Sequence, residues 1–167
     1  ILYGRAIELI NDQQIIQADE LLNKILANQM SGNIIPYANF WKGEIAYRMQ
    51  RYDEAIRFLN IYISSNAAAQ GEATPAAAKY DLGYSWLQKE EYRNALAGFE
   101  GVTKTLSAVS TPTQQDAYLR SADCYYMLRD YSKANSMYDQ VISYAFAQSD
   151  YATYQKAMIA GVKNSTE

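Results

Sequence analysis

Two acidic pairs are the residues in this chain whose types and spacing could most readily do chemistry. Asp53-Glu54 and Glu90-Glu91 each set two carboxylates side by side. Paired carboxylates serve general acid–base catalysis when their environments push their pKa values apart. Both pairs fall where one helical pattern gives way to the next, and acids also favour the positive end of a following helix. No pocket is implied around either pair, so the structural role is the better reading. Cys124 is the one cysteine, and there is no histidine. A thiolate without an imidazole partner is a poor nucleophile, and Cys124 lies beside tyrosines, where a small buried thiol is expected. With one Cys and no His, a thiolate or imidazole zinc site is not expected. Asn164-Ser165-Thr166 has the glycosylation pattern at a fraying end. Arg48, Arg51, Arg57 and Arg129 read as solvated faces. No enzyme activity, metal or cofactor is implied.

The elements that carry these residues are helical. Ala55, Ile56, Leu59 and Ile63 recur at intervals of three and four. Strand alternation is weak, and Asn-Gly and Asp-Gly hairpin turns are missing. Pro36, Pro75 and Pro112 each stand where a loop yields to a helical pattern. Thr74 and Thr111 are placed as N-caps, and Thr111 with Gln114 has capping-box spacing. Helices are expected over about 1–12, 14–29, 36–50, 52–66, 75–89, 92–107, 113–128, 131–147 and 150–163.

These helices repeat a frame. Gly83 is followed nine residues on by Tyr92, twelve on by Ala95 and sixteen on by Phe99. Gly43, Tyr52, Ala55 and Leu59 match it, as do Ala122, Tyr131, Ala134 and Tyr138, and Ala6, Ile15, Ala18 and Leu22. Seven past each alanine stands Ile25, Tyr62, Val102 or Val141. The alanines Ala18, Ala55, Ala95 and Ala134 lie 37, 40 and 39 residues apart, a period that denotes a solenoid. The small and alanine slots let paired helices cross closely, the aromatic closes the turn, and the bulky residue packs back on the first helix.

The frame resembles the tetratricopeptide repeats, most clearly in Leu82, Gly83, Trp86, Tyr92, Ala95 and Phe99, and in "FWKGEIAYRMQRYDEAIRFL". The copies exceed that family's usual period of about 34 residues, with the excess between copies, as in "SSNAAAQGEATP". The spacing and the "YDEAI" style also resemble bacterial cell-envelope members such as the periplasmic Tol–Pal coordinator and outer-membrane assembly lipoproteins. The fold implied is all-α, a right-handed α-α superhelix of four helix pairs plus one terminal helix. One domain is expected over 1–167, with repeats at about 1–29, 36–66, 75–107 and 113–147 and a terminal helix at 150–163. The chain begins without Met and reads as a piece of a longer protein. Ile159 and Val162 would need cover if the full protein continues.

The resemblance also implies a concave groove lined by residues three before and one, four and five after each small slot. These are Tyr3, Ile7, Ile10 and Asn11; Phe40, Glu44, Tyr47 and Arg48; Tyr80, Tyr84, Leu87 and Gln88; Leu119, Asp123, Tyr126 and Met127. One turn earlier, Tyr37, Ala77 and Asp116 join them. The 3.6-residue period independently places each set on one helical face. Tyrosine suits a binding surface, since it offers large contact area at low entropic cost and carries a polar tip. The rival reading is that the tyrosines only fill contacts between adjacent helices. Family members that clamp a C-terminal carboxylate use Lys and Asn in these slots. Here Glu44 and Asp123 would repel one, so no such clamp is expected.

The function implied is a non-catalytic scaffold holding a peptide or helix of a protein partner. One alternative is a segment that positions a catalytic or transport domain of a larger protein, its groove filled from within. A third is self-association through open ends. Net charge of −3 and a pI near 5 argue against nucleic acid. No apolar run reaches the roughly 18 residues of a membrane span. The envelope likeness favours the bacterial periplasm over the cytoplasm.

Overall fold

A computed structural model describes residues 1–28, 30 and 32–165. Thr166 of the glycosylation pattern and the expected end of the second helix at Gln29 lie outside the described residues. Nine helices are present among them: α1 (Leu2–Asn11), α2 (Ile15–Ala27), α3 (Ile35–Arg48), α4 (Tyr52–Ser64), α5 (Pro75–Gln88), α6 (Tyr92–Glu100), α7 (Pro112–Met127), α8 (Tyr131–Ser143) and α9 (Ser149–Asn164). No strand is found among the described residues, apart from one isolated bridge between Gln70 and Ala73. The chain divides into two compact units, 1–89 and 90–167.

The helix starts follow the local chemistry. Thr74 accepts a hydrogen bond from the Ala77 N–H at 3.0 Å. Thr111 and Gln114 complete a reciprocal capping box, at 3.2 Å and 2.9 Å. Two helix ends fall short of expectation. α6 stops at Glu100, not 107, because Gly101 takes the C-cap and the Thr103 hydroxyl turns to the Thr105 carbonyl at 2.6 Å. Leu106, within the expected range of this helix, is instead a loop residue buried in the core of its unit. α8 stops at Ser143, followed by Ala145 at φ 52°.

In the first unit, α1 packs on α2, α2 on α3, α3 on α4, and α4 on α5. Ala6, Ala18, Leu22, Ala55 and Leu59 of the frame are all fully buried there. The Tyr62 ring closes the centre, edge-on to Phe40 at 5.2 Å. In the second unit, α6 packs on α7, α7 on α8 and α8 on α9. Ala122, Ala134, Tyr138 and Val141 form its core with Ile159. Ile159 is thus already covered, by the contact of α9 with α8.

Two turns inside the first unit, and two in the second, repeat one backbone device. Gln13, Gln50, Glu90 and Arg129 all have positive φ, between 58° and 66°, and each stands five residues before a frame alanine. The N–H groups of Gln14, Arg51 and Asp130 reach back to the carbonyls of Leu9, Ala46 and Tyr125 at 2.8–2.9 Å. These are the long bonds of Schellman caps, which satisfy carbonyls left open at a helix end.

Candidate functional site

The groove positions of the first unit lie on α1, α3 and α5. On α5, Tyr80, Tyr84 and Leu87 recur at four and three, so they share a face, and all are half-buried. The Tyr80 and Tyr84 rings meet edge-to-face, 5.1 Å between centroids. Gln88 follows them, exposed. On α3, Tyr47 is half-buried and tilted against Tyr52 at 6.4 Å. These residues form an aromatic surface with polar tips.

α3 and α5 are joined here by a carboxyl pair that the sequence does not reveal. Asp81 is 8% exposed. Burial drives its pKa up from 3.8 to about 9, a shift reinforced by its hydrogen bond to Glu44 and that residue's charge, and opposed by Arg48. Asp81 is therefore protonated at neutral pH and donates to the Glu44 carboxylate. Arg48 Nε donates to Glu44 Oε1 at 2.8 Å. Glu44 is thus engaged on both sides, and its charge is not the bare repulsive one expected. The signal lay in the slot two before the small residue, which holds Trp41 in one copy and Asp81 in the next.

Several expected groove residues are placed elsewhere. Phe40 is 2% exposed and packs edge-on against Trp41 and Tyr62, so it supports the surface from within. Ile10 and Leu119 are likewise core residues. All three are apolar, and their side chains are buried in the cores of their units. Tyr37 donates its hydroxyl to the Ala68 carbonyl at 2.9 Å, holding the loop that follows α4.

That loop closes a cavity of about 320 Å³ with Tyr3, Ile7 and Asn11 of α1 and Trp41 of α3. Its own contribution is Gln70-Gly71-Glu72. The Trp41 indole N–H donates to the Tyr3 hydroxyl at 3.1 Å.

In the second unit, Tyr126 meets Tyr131 edge-on at 5.7 Å, and Met127 is 47% exposed. Asp123 does not face outward as a free acid. Its Oδ1 accepts from the Tyr138 hydroxyl at 2.6 Å, and its Oδ2 accepts from the Tyr151 hydroxyl at 3.0 Å and from Arg120. Burial raises its pKa, against the pull of Arg120 and the two hydroxyls. Asp123 is the node that joins α7, α8 and α9. Asp116 also pairs with Arg120, at 3.4 Å.

Of the acidic pairs read as turn chemistry, Glu90-Glu91 is exposed at its turn and Asp53-Glu54 is ion-paired. Asp53 pairs with Lys89 at 2.6 Å and Glu54 with Arg51 at 3.1 Å. Lys42, 4% exposed, reaches Asp19 of α2 at 2.7 Å. Cys124 is fully buried, and burial first, then the Asp123 charge, pushes its thiol up to about 12, so it holds its proton. Among the described residues, no group of three or more His, Cys, Asp or Glu is placed to hold a metal. No helix among them is long and apolar enough to cross a membrane.

The helix pairs α1–α2, α3–α4 and α7–α8, each with its small frame residues buried, define a helical-repeat fold. Residues 37–68 and 116–149 match the tetratricopeptide repeat family, and these segments hold the second and fourth copies of the frame. Among solved structures, the chain is similar to the nearly identical TPR-like repeats of a candidate kinesin light chain from Podosopora anserina. The likeness covers 98% of this chain and 86% of that one, with a TM-score of 0.67 and 14% identity. A single-substitution form of the same protein gives 98% and 85%, TM-score 0.69 and 15% identity. The fold is therefore that of the tetratricopeptide-type solenoids. No curated protein matches by sequence. None of these matches is to a cell-envelope protein, so the Tol–Pal likeness gains no support.

Proposed function

We propose that this chain is a non-catalytic protein-interaction scaffold that binds a peptide or helix of a partner on the tyrosine face of α3 and α5. Tyr126 and Met127 of α7 supply a further contact region. Solenoids of this fold build extended surfaces for protein partners. The observation that carries the reading is the half-buried set Tyr47, Tyr80, Tyr84 and Leu87. Each ring is fixed by an aromatic neighbour, so a partner would meet a preorganised surface. Beneath it the Asp81–Glu44 hydrogen bond ties the two helices together.

The Cys124 thiol is buried and holds its proton, and the carboxyl groups of Glu44, Asp81 and Asp123 are taken up in hydrogen bonds between helices, which supports a binding role over an enzymatic one. Capture of the partner by the purified chain tests the proposal. Tyr84→Ala and Tyr126→Ala are expected to reduce capture while the helical content stays intact. Unchanged capture by both variants would remove the surface from the account.

A further inference from the structure

We propose that the cavity between α1, α3 and the loop after α4 is a pocket for one basic side chain, arginine above all, of the bound partner. The proposal rests on the scaffold reading and adds a specificity determinant to it. The pocket is built and held. Tyr37 and Tyr62 donate their hydroxyls to the Ala68 and Ala73 carbonyls, both at 2.9 Å, pinning the loop at two points. Gln70 and Ala73 exchange two backbone hydrogen bonds of 3.0 Å, and Gly71 turns between them at φ 56°. A Cβ added at Gly71 would meet nothing within 4 Å, so space is open on that side.

The lining has one sign of charge. Glu72 is the charged residue of the wall, and no lysine or arginine lines it. The side chains of Asn11, Gln70 and Glu72 make no hydrogen bond or ion pair among the described residues, so their acceptors are uncommitted. The remaining wall is Tyr3, Ile7 and Trp41, aromatic and aliphatic. An apolar wall with one carboxylate and two amide acceptors matches a cation on an apolar stem. The guanidinium fits better than the ammonium, because it stacks on aromatic rings and pairs with a carboxylate through two parallel bonds. The volume of about 320 Å³ exceeds what a single water or ion needs and lies at the small end of ligand pockets.

The test uses the whole chain, labelled with nitrogen-15, titrated with N-acetyl-arginine methylamide and with its neutral citrulline analogue. The Trp41 indole N–H reports on the pocket, and that of Trp86 serves as the internal control. The expected result is a saturable shift of the Trp41 signal with the arginine probe, little with citrulline, and binding weakened roughly tenfold by Glu72→Gln. Equal response to citrulline, no saturable response to arginine, or unchanged affinity in Glu72→Gln would overturn the assignment. Loss of the pocket response with partner capture still sensitive to Tyr84→Ala would reject the pocket and leave the scaffold reading standing.

Discussion

A Cβ added to Gly43 would stand 2.6 Å from Leu59 Cγ and 3.2 Å from the Leu59 backbone nitrogen. The two residues belong to α3 and α4, and they are the small and bulky members of one copy of the repeat frame. Cγ is the branch point of a fully buried side chain, so it has no free end to swing away. Gly43→Ala is therefore expected to cost about 1–3 kcal/mol through overpacking. Gly4, also helical, would have nothing within 4 Å of an added methyl group, and Gly4→Ala should be neutral or stabilising by up to about 1 kcal/mol. Urea denaturation of the two variants checks the contrast.

The left-handed turns give a prediction of opposite sign. Gln50 holds φ 59° without being glycine. The left-handed region strains a side chain that bears a Cβ, and glycine removes that strain while raising the entropy of the unfolded chain. Gln50→Gly is expected to stabilise by about 0.5–1 kcal/mol. Gln50→Val should destabilise, since a branched Cβ tolerates this backbone least. Thermal melts of the pair settle the order.

Asp81 makes stability depend on pH. Its folded pKa is about 9 against 3.8 unfolded, so the folded state keeps a proton that the unfolded state releases. Its contribution is complete below the unfolded value and is lost as pH rises through the folded one. Stability should fall from about pH 4 towards pH 9 by this route. Asp81→Asn keeps a donor for Glu44 and removes the titration, so it should flatten that fall and be the more stable form at pH 8–9. Denaturation of both proteins across this range is the measurement. Parallel pH profiles would refute the assignment.

The Asp123 node predicts a graded loss. Asp123→Ala removes the acceptor of the Tyr138 and Tyr151 hydroxyls and the partner of Arg120, and should cost about 3 kcal/mol. Tyr138→Phe removes one hydroxyl from the same site and should cost about 1 kcal/mol. Chemical denaturation of the two variants compares them directly.

The sequence carries the scaffold further than the surface. Period and small-residue spacing locate the helix pairs α1–α2, α3–α4 and α7–α8, because a crossing that admits only Gly or Ala leaves its mark at fixed intervals. Thr74 and Thr111 are legible because capping is local chemistry. The end of α6 is not, since Leu106 is buried by contacts made across the fold, and a loop and a helix can place one leucine equally well. Glu44 and Asp123 stand on the expected helices, but in sequence they look like bare charges. Their partners Asp81, Tyr138 and Tyr151 come from other helices, and only packing reveals them. The wall supplied by Gln70, Gly71 and Glu72 is hidden for the same reason. A loop that reads as excess length between copies folds back over α1 and α3.

The central claim is that the α3 and α5 tyrosine face receives the partner, and photo-crosslinking tests it most directly. A benzoylphenylalanine placed at Leu87, on that face, should crosslink to the partner in a saturable way. The same group at Asn60, exposed on α4, should give little product. Crosslinking from position 60 with none from position 87 would contradict the account.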